Sequence, residues 1–376
     1  MVKNILFITA TRAEFGKIKH TIEKLNQTKK YKITIIVTGM HMISKYGKTY
    51  LEVKNHFPKN KIIYFSNQSS SETQDIILSN TIRRVSPILK KISPDLIVIH
   101  GDRVEALAVA IAGSFNNYLI GHIEGGEISG TIDEHIRHSV SKLSHLHFVS
   151  NEFAKKRLLQ LGELKKNIFV TGSPETDTMR LESLPSLKRA KIRYNLKFNN
   201  YSIFIYHPVT TEGQKKIKSD LSCLLKVVKK SNENFILIYP NNDPGSSVII
   251  DYYEKKFKKL NNTKIFRSIR FEYFLSLLKN SYCIIGNSSS GVREAPFYGV
   301  PTIDLGNRQK DRTKYKSIYS IGFDSKKILK IFKSLKRKNF SKVKLYGQGN
   351  SAKKIVNILS KKHVWKTSKQ KYLQEI

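Results

Sequence analysis

The sequence predicts an α/β fold of two Rossmann-like domains facing a central cleft. Three observations predict it. Short blocks of Ile, Leu, Val and Phe recur along the chain, as strands of a parallel sheet buried on both faces require. Amphipathic stretches separate the blocks, the rhythm of repeated βα units. The rhythm breaks between residues 172 and 187 and then restarts.

In the first half, the expected strands are Asn4–Thr9, Ile33–Thr38, Leu96–His100, Tyr118–Ile123 and Ile168–Thr171. Thr73–Ile92 is expected to be a helix, with Pro87 placed to kink it. Asp133–Leu146 is expected to be another, because Thr131-Ile-Asp-Glu134 has the pattern of a capping box. Gly172–Leu187, rich in Ser, Pro and acidic residues, reads as a linker. Beyond it, strands are expected at Ser202–Tyr206, Phe235–Tyr239, Lys264–Phe266, Tyr282–Gly286 and Thr302–Leu305. Ser351–Ser360 reads as a helix crossing back onto the first domain, and the polar tail after Lys361 as frayed. The expected division is 1–175, 190–350, and a helix and tail at 351–376. A length of 376 residues suits two domains of about 150–200 each.

The net charge is +38, which by itself suggests a nucleic-acid or membrane partner. Its distribution argues otherwise. The lysines are scattered, and the densest run, Lys326 to Lys344, is interrupted by Ile328, Leu329, Ile331, Phe332 and Leu335, as in a surface helix. No zinc-finger spacing or RNA-binding aromatic signature accompanies it. The expectation is a solvated basic surface with no nucleic-acid partner, whose field draws in a polyanionic small molecule. No apolar run approaches the roughly 20 residues that span a bilayer, so no membrane partner is expected. The N-terminal run reads as a first strand and not as a secretion signal. Cys223 and Cys283 lie in apolar stretches, which argues against a disulfide framework and for a reducing cytoplasm.

Open α/β sheets bind ligands at the carboxyl ends of their strands, so the residues after each strand matter most. Thr11-Arg-Ala-Glu-Phe-Gly-Lys17 puts Arg12 and Lys17 at a helix start, where an anion is favoured. Gly101-Asp102-Arg103 puts opposite charges at a strand end. His122-Ile-Glu124-Gly-Gly-Glu127 and Asp133 gather carboxylates in a glycine-permitted loop. Such clustering raises carboxylate pKa values and suits acid–base work, although a polar loop ending in a helix cap would have the same composition. His135, His138, His145 and His147 lack the His-Glu-x-x-His spacing and a cysteine partner, so no metal site is expected.

In the second half, His207-Pro-Val-Thr-Thr-Glu212 and Pro240-Asn-Asn-Asp-Pro-Gly245 follow strands. Gly286-Asn-Ser-Ser-Ser-Gly291 is a small-residue turn leading toward a helix, read as a diphosphate cradle. Glu294, about a turn into that helix, is placed to accept ribose hydroxyls, and Arg308 and Arg312 to neutralise phosphate. The Gly-Lys-Ser/Thr ending of a Walker A loop is missing, and so is a G-x-G-x-x-G fingerprint. No cofactor is expected.

Taken together, TRAEFGK, VTGMHM, HGDRVEALA, HIEGGEISGTIDEHIRHSVSKLSH, GSPETD, HPVTTE, YPNND, SIRFEYF, GNSSSGVREAP and GNRQKDR resemble the hydrolysing UDP-N-acetylglucosamine 2-epimerases of bacterial sialic-acid pathways. The resemblance runs from Ile5 to about Ser320. It implies a glycosyltransferase-B-like architecture and a UDP-sugar substrate. It implies anti elimination of UDP to a 2-acetamidoglucal, followed by hydration to N-acetylmannosamine. It places essential carboxylates at Asp102, Glu124 and Asp133. It places UDP contacts at Arg12, Arg103, His207, Asn241, Ser288, Ser289, Glu294 and Arg308, with Ile269 contributing its backbone and Lys17 as a lesser candidate. A homodimer or homotetramer is also implied. Gly16 departs from relatives that carry a ligand-touching serine there. Epimerases of UDP-2,4-diacetamido-trideoxy sugars share the Glu-Gly-Gly-Glu and Gly-Thr-Ile-Asp elements, and a reversible, non-hydrolysing epimerase is a further alternative. HMISKYGKTY, FSNQ and REAPFYGVP favour the N-acetylglucosamine group.

Overall fold

The computed structural model describes residues 2–69, 72–129, 132–180, 184–209, 211–310, 312, 314–335, 338, 340–372 and 374. The chain forms two compact units: Met1–Glu127 with Asp133–Leu181 and Leu345–Ile376, and Ile128–Ile132 with Glu182–Lys344.

The first unit is built on β1 (Lys3–Thr9), β2 (Tyr31–Val37), β3 (Lys61–Tyr64), β4 (Leu96–His100), β5 (Ile120–Ile123), β6 (Leu146–Val149) and β7 (Ile168–Val170). They make one parallel sheet in the order β3-β2-β1-β4-β5-β6-β7. Its helices are α1 (Arg12–Gln27), α2 (Tyr50–His56), α3 (Gln74–Ile92), α4 (Val104–Phe115), α5 (Ile132–Leu143), α6 (Glu152–Gln160) and α7 (Glu175–Met179). Alternation along the strands divides the core between the two faces of the sheet. Ile5, Phe7, Ile33 and Ile35 pack with Phe15, Ile18 and Ile22 of α1. Leu6, Ile8, Ile36, Ile97 and Ile99 pack with Val85 and Leu89 of α3 and Val109 of α4.

The second unit contains α8 (Leu187–Arg193), β8 (Ser202–Ile205), α9 (Gln214–Ser231), β9 (Phe235–Ile238), α10 (Ser246–Tyr252), β10 (Thr263–Phe266), α11 (Phe271–Lys279), β11 (Ile284–Gly286), α12 (Glu294–Tyr298), β12 (Thr302–Leu305), β13 (Ile318–Ile321) and α13 (Ser325–Leu335). Its parallel sheet runs β10-β9-β8-β11-β12-β13. The last helix, α14 (Ser351–Leu359), belongs to the first unit and packs on α1. Among the described residues no helix is long and apolar enough to cross a membrane.

Several sequence expectations need correction. The β3, β6 and β13 strands were not anticipated, and α5 ends at Leu143 so that Leu146 can open β6. The capping-box residue Thr131 lies outside the described residues. The helix α3 continues through Pro87. Gly172–Leu187 is more than a linker, because residues 175–179 form α7, which is fully buried. Both carboxylate oxygens of Asp177 accept N–H groups at the start of α14, from Ser351 at 2.8 Å and Ala352 at 2.6 Å, an N-terminal cap supplied from a distant segment. The lysine-rich run is helical only to Leu335. The tail after Lys361 is held: Trp365 stacks on Tyr31, and Lys371 donates to Glu163 at 2.6 Å and to the Ser144 carbonyl at 2.5 Å.

Candidate active site

In each sheet the strand order reverses once, and the crevice there is where doubly wound folds bind ligands. In the first unit the reversal lies between β1 and β4. After β1, the Thr11 side chain caps α1 by accepting the Glu14 N–H at 3.1 Å. The Glu14 carboxylate accepts the Ala10 N–H at 2.7 Å. Arg12, the first residue of α1, pairs through Nε with Glu52 at 2.9 Å. Lys17, a turn further, pairs with the buried Glu175 of α7.

After β4, Gly101 takes φ +73°, turning the chain so that Asp102 and Arg103 follow at the carboxyl end of the strand. His122 braces this turn. Its Nε2 lies 2.8 Å from the Gly101 carbonyl and its Nδ1 3.0 Å from Ser141 Oγ. Burial pushes its pKa down to about 3, so the ring is a neutral strut. Arg103 Nε lies 3.7 Å from Glu105, whose other oxygen accepts from Gln68 at 3.1 Å. Asp102 pairs with Arg137 of α5, which also donates to the Glu127 carbonyl at 3.0 Å.

Glu124 follows β5 with φ +68°, a conformation rare for a residue with a side chain. Ser173 donates to one of its oxygens, and His100 Nε2 lies 3.4 Å from the other. Burial alone would lower the His100 pKa; Glu124 and then Glu14 reverse the direction and raise it. The loop beyond is anchored from the sides: Ser150 donates to Glu127 at 2.7 Å and Arg157 to the Gly126 carbonyl at 3.2 Å. A side chain at Gly126 would put Cβ 2.3 Å from the Ala154 carbonyl oxygen. Asp133 lies half-buried in the first turn of α5.

Asp102 and Glu124 therefore each have a partner of their own, Arg137 for one and His100 with Ser173 for the other. Beside them Glu14 is pushed upward, to about 7, and the main cause is burial. It was not anticipated as a site residue, although Thr11-x-x-Glu14 has the spacing of a capping box. Glu52, Glu105, Glu175 and Arg137 were also missed.

In the second unit the reversal lies between β8 and β11. Here amide and backbone groups are joined to one another, with a guanidinium among them. Asn287 accepts the His207 N–H at 2.7 Å and returns a bond to the His207 carbonyl at 2.8 Å. His207 Nδ1 accepts the Asn241 N–H at 3.2 Å. Arg308 and Gln309 both donate to the Asn287 carbonyl, at 3.2 and 3.1 Å. Gly286 has φ +135°, and a Cβ there would lie 1.8 Å from the Ile205 carbonyl oxygen. The Ser288 side chain accepts the Ser290 N–H at 3.3 Å and opens a short 3-10 turn, Ser289–Gly291. Glu294 is thus the first residue of α12 and not a turn inside a helix begun at the serines. It is buried, as are Ser288, Arg308 and Ile269, the last lying between β10 and α11. The structure brings His207, Asn241, Ser288 and Arg308 onto one framework through Asn287, and it adds Asn287 and Gln309 to the site.

Comparison with known proteins gives a consistent result. Residues 23–360 match the family model described as UDP-N-acetylglucosamine 2-epimerase. The chain is 43% identical to UDP-N-acetylglucosamine 2-epimerase of Neisseria meningitidis, covering 98% of each. It is 30% identical to the UDP-N,N'-diacetylbacillosamine 2-epimerase (hydrolyzing) of Legionella pneumophila, covering 96% of each. Its fold is that of the Methanocaldococcus jannaschii UDP-GlcNAc 2-epimerase crystallised with UDP-GlcNAc and UDP: TM-score 0.82, 24% identity, 95% of this chain and 99% of that one.

Proposed function

This chain belongs to the UDP-N-acetylglucosamine 2-epimerase family, and from that premise we propose that it is a hydrolysing 2-epimerase. It converts UDP-N-acetylglucosamine and water to N-acetylmannosamine and UDP, for sialic acid biosynthesis. The observation that carries the reading is the pair of anchored carboxylates at the ends of adjacent strands, Asp102 after β4 and Glu124 after β5. Elimination followed by hydration needs more than one acid–base group, because the C2 proton leaves from one face and returns to the other.

In the proposed reaction a carboxylate takes the C2 proton. The C1–O bond breaks, its electron pair leaves with the diphosphate, and a 2-acetamidoglucal forms. Water then adds at C1 as a proton is delivered to C2 from the opposite face. Asp102, Glu124 and Asp133 are the acid–base groups. The proposed UDP contacts are Arg12, Arg103, His207, Asn241, Ser288, Ser289, Glu294, Arg308 and the Ile269 backbone, with Lys17 as a lesser candidate. Fixed donors aimed at a leaving diphosphate stabilise charge as it develops.

The neisserial relative at 43% identity supports the sugar, and the Legionella relative at 30%, named as hydrolysing, supports the release of UDP. The reaction belongs in the cytoplasm, where the free thiols Cys223 and Cys283 stay reduced, and the enzyme acts as a homodimer or homotetramer.

Competing UDP-N-acetylglucosamine against UDP-2,4-diacetamido-2,4,6-trideoxyglucose, with free UDP as the readout, tests the reading. The first substrate should be favoured in kcat/KM by about tenfold or more. The reverse preference would transfer the assignment to the diacetamido sugar. Epimerised UDP-sugar without free UDP would make the enzyme non-hydrolysing.

A further inference from the structure

Arg137 lies in α5, one turn after Asp133. Its side chain is 3% exposed, whereas that of its partner Asp102 is 30% exposed. The guanidinium is therefore the buried end of the pair, and the carboxylate is the end that reaches solvent. The same guanidinium donates through its other terminal nitrogen to the Glu127 carbonyl at 3.0 Å. One planar group thus joins the turn after β4, which carries Asp102, to Glu127 in the loop that begins at Glu124 and precedes α5 with Asp133. An arginine stays charged at all working pH values, and its fork fixes direction as well as charge.

We infer that Arg137 is a positioning residue for the reaction: it orients Asp102 toward the substrate side of the turn and ties it to the loop after β5. The inference rests on the epimerase reading above. It separates two tasks that a bare carboxylate would have to perform alone. Asp102 meets the sugar, and Arg137 fixes where it does so. Lysine would keep the charge but, as a point donor on a flexible stem, would not hold Asp102 and the Glu127 carbonyl together.

Arg137→Ala and Arg137→Lys test this, assayed as pH profiles of kcat and kcat/KM alongside UDP affinity. Arg137→Ala should lower kcat by roughly 100-fold and leave UDP affinity within about threefold. Its acid limb should move upward, since the cation beside Asp102 is removed. Guanidinium in solution should restore part of the rate, and ammonium should not. Arg137→Lys should retain the acid limb and recover only part of kcat. In an Asp102→Asn background, Arg137→Ala should add little further loss. A folded Arg137→Ala enzyme with an unmoved acid limb, no guanidinium rescue and losses additive with Asp102→Asn would overturn the inference. If Arg137→Ala does not fold, Arg137→Lys decides: a normal kcat would contradict the need for the fork. A wild-type enzyme that turns over no UDP-sugar would sink the epimerase reading instead, and the two failures are therefore distinguishable.

Discussion

The two strand-order reversals occupy equivalent places in their sheets, yet the contacts that fix them differ in kind. In the first unit, Arg12, Lys17, Arg103 and Arg137 each face a carboxylate: Glu52, Glu175, Glu105 and Asp102. In the second, the Asn287 amide, backbone groups and a glycine fix the turn, and the Arg308 guanidinium bonds to the Asn287 carbonyl. The difference matches what each is proposed to do. Proton transfer at carbon needs ionisable groups, and buried charges must be matched by others. Holding a diphosphate needs oriented donors, which backbone and amide groups supply without titrating. The contrast teaches that one topology fixes where a site lies, and the side chains after each strand fix its chemistry.

Five substitutions should break or sharpen that contrast. The largest effect belongs to the second unit. Gly286→Ala drives a methyl into the Ile205 carbonyl at a left-handed φ, and the unit should lose about 4 kcal/mol or more, read as a lower thermal midpoint with UDP protection abolished. A variant as stable as the wild type would show that the turn is pliable.

Next come the first-unit carboxylates. Glu124→Gln and Asp102→Asn should each cut turnover by about 10²–10⁴-fold with UDP binding retained. A normal rate in either removes that residue from the acid–base set.

Glu14 gives a pH signature confined to the first unit. Its folded pKa of about 7 stands above its ordinary value of 4.5, chiefly through burial. The folded state therefore holds the proton more tightly than the unfolded chain does. The resulting stabilisation is complete below pH 4.5 and is lost as pH rises toward 7, up to roughly 3 kcal/mol in all. Glu14→Gln should flatten that slope in urea unfolding across this range, and an unchanged slope would show that another group is responsible. Smallest is Asn287→Ala, which strands the His207 N–H and carbonyl. A cost of about 1–2 kcal/mol should appear as roughly tenfold weaker UDP binding with little change in kcat at saturation.

Much of this was legible in the sequence, for reasons that also explain the gaps. Leu96–His100 and Ser202–Ile205 are central, wholly buried strands, so the apolar runs Leu-Ile-Val-Ile and Ile-Phe-Ile marked them. Lys61–Tyr64 and Ile318–Ile321 are edge strands with exposed positions, and their composition does not separate them from loops. Leu146–Val149 begins three residues after α5 ends, and the amphipathic pattern of the helix runs into it. Strand-end motifs pointed to Asp102, Glu124 and His207, because topology puts strand ends in the crevice. The partners Glu52, Glu105, Glu175 and Arg137 carry no local signal. Arg137 and Asp102 are 35 positions apart, and only the folded sheet shows that they meet.

The most direct test of the central claim is to follow UDP-N-acetylglucosamine turnover by NMR in D₂O. The account predicts free UDP and N-acetylmannosamine in equal amounts, with deuterium at C2 of the product. Release of UDP with hydrogen retained at C2, or with N-acetylglucosamine as the free sugar, would contradict an elimination and hydration carried out by the first unit's carboxylates.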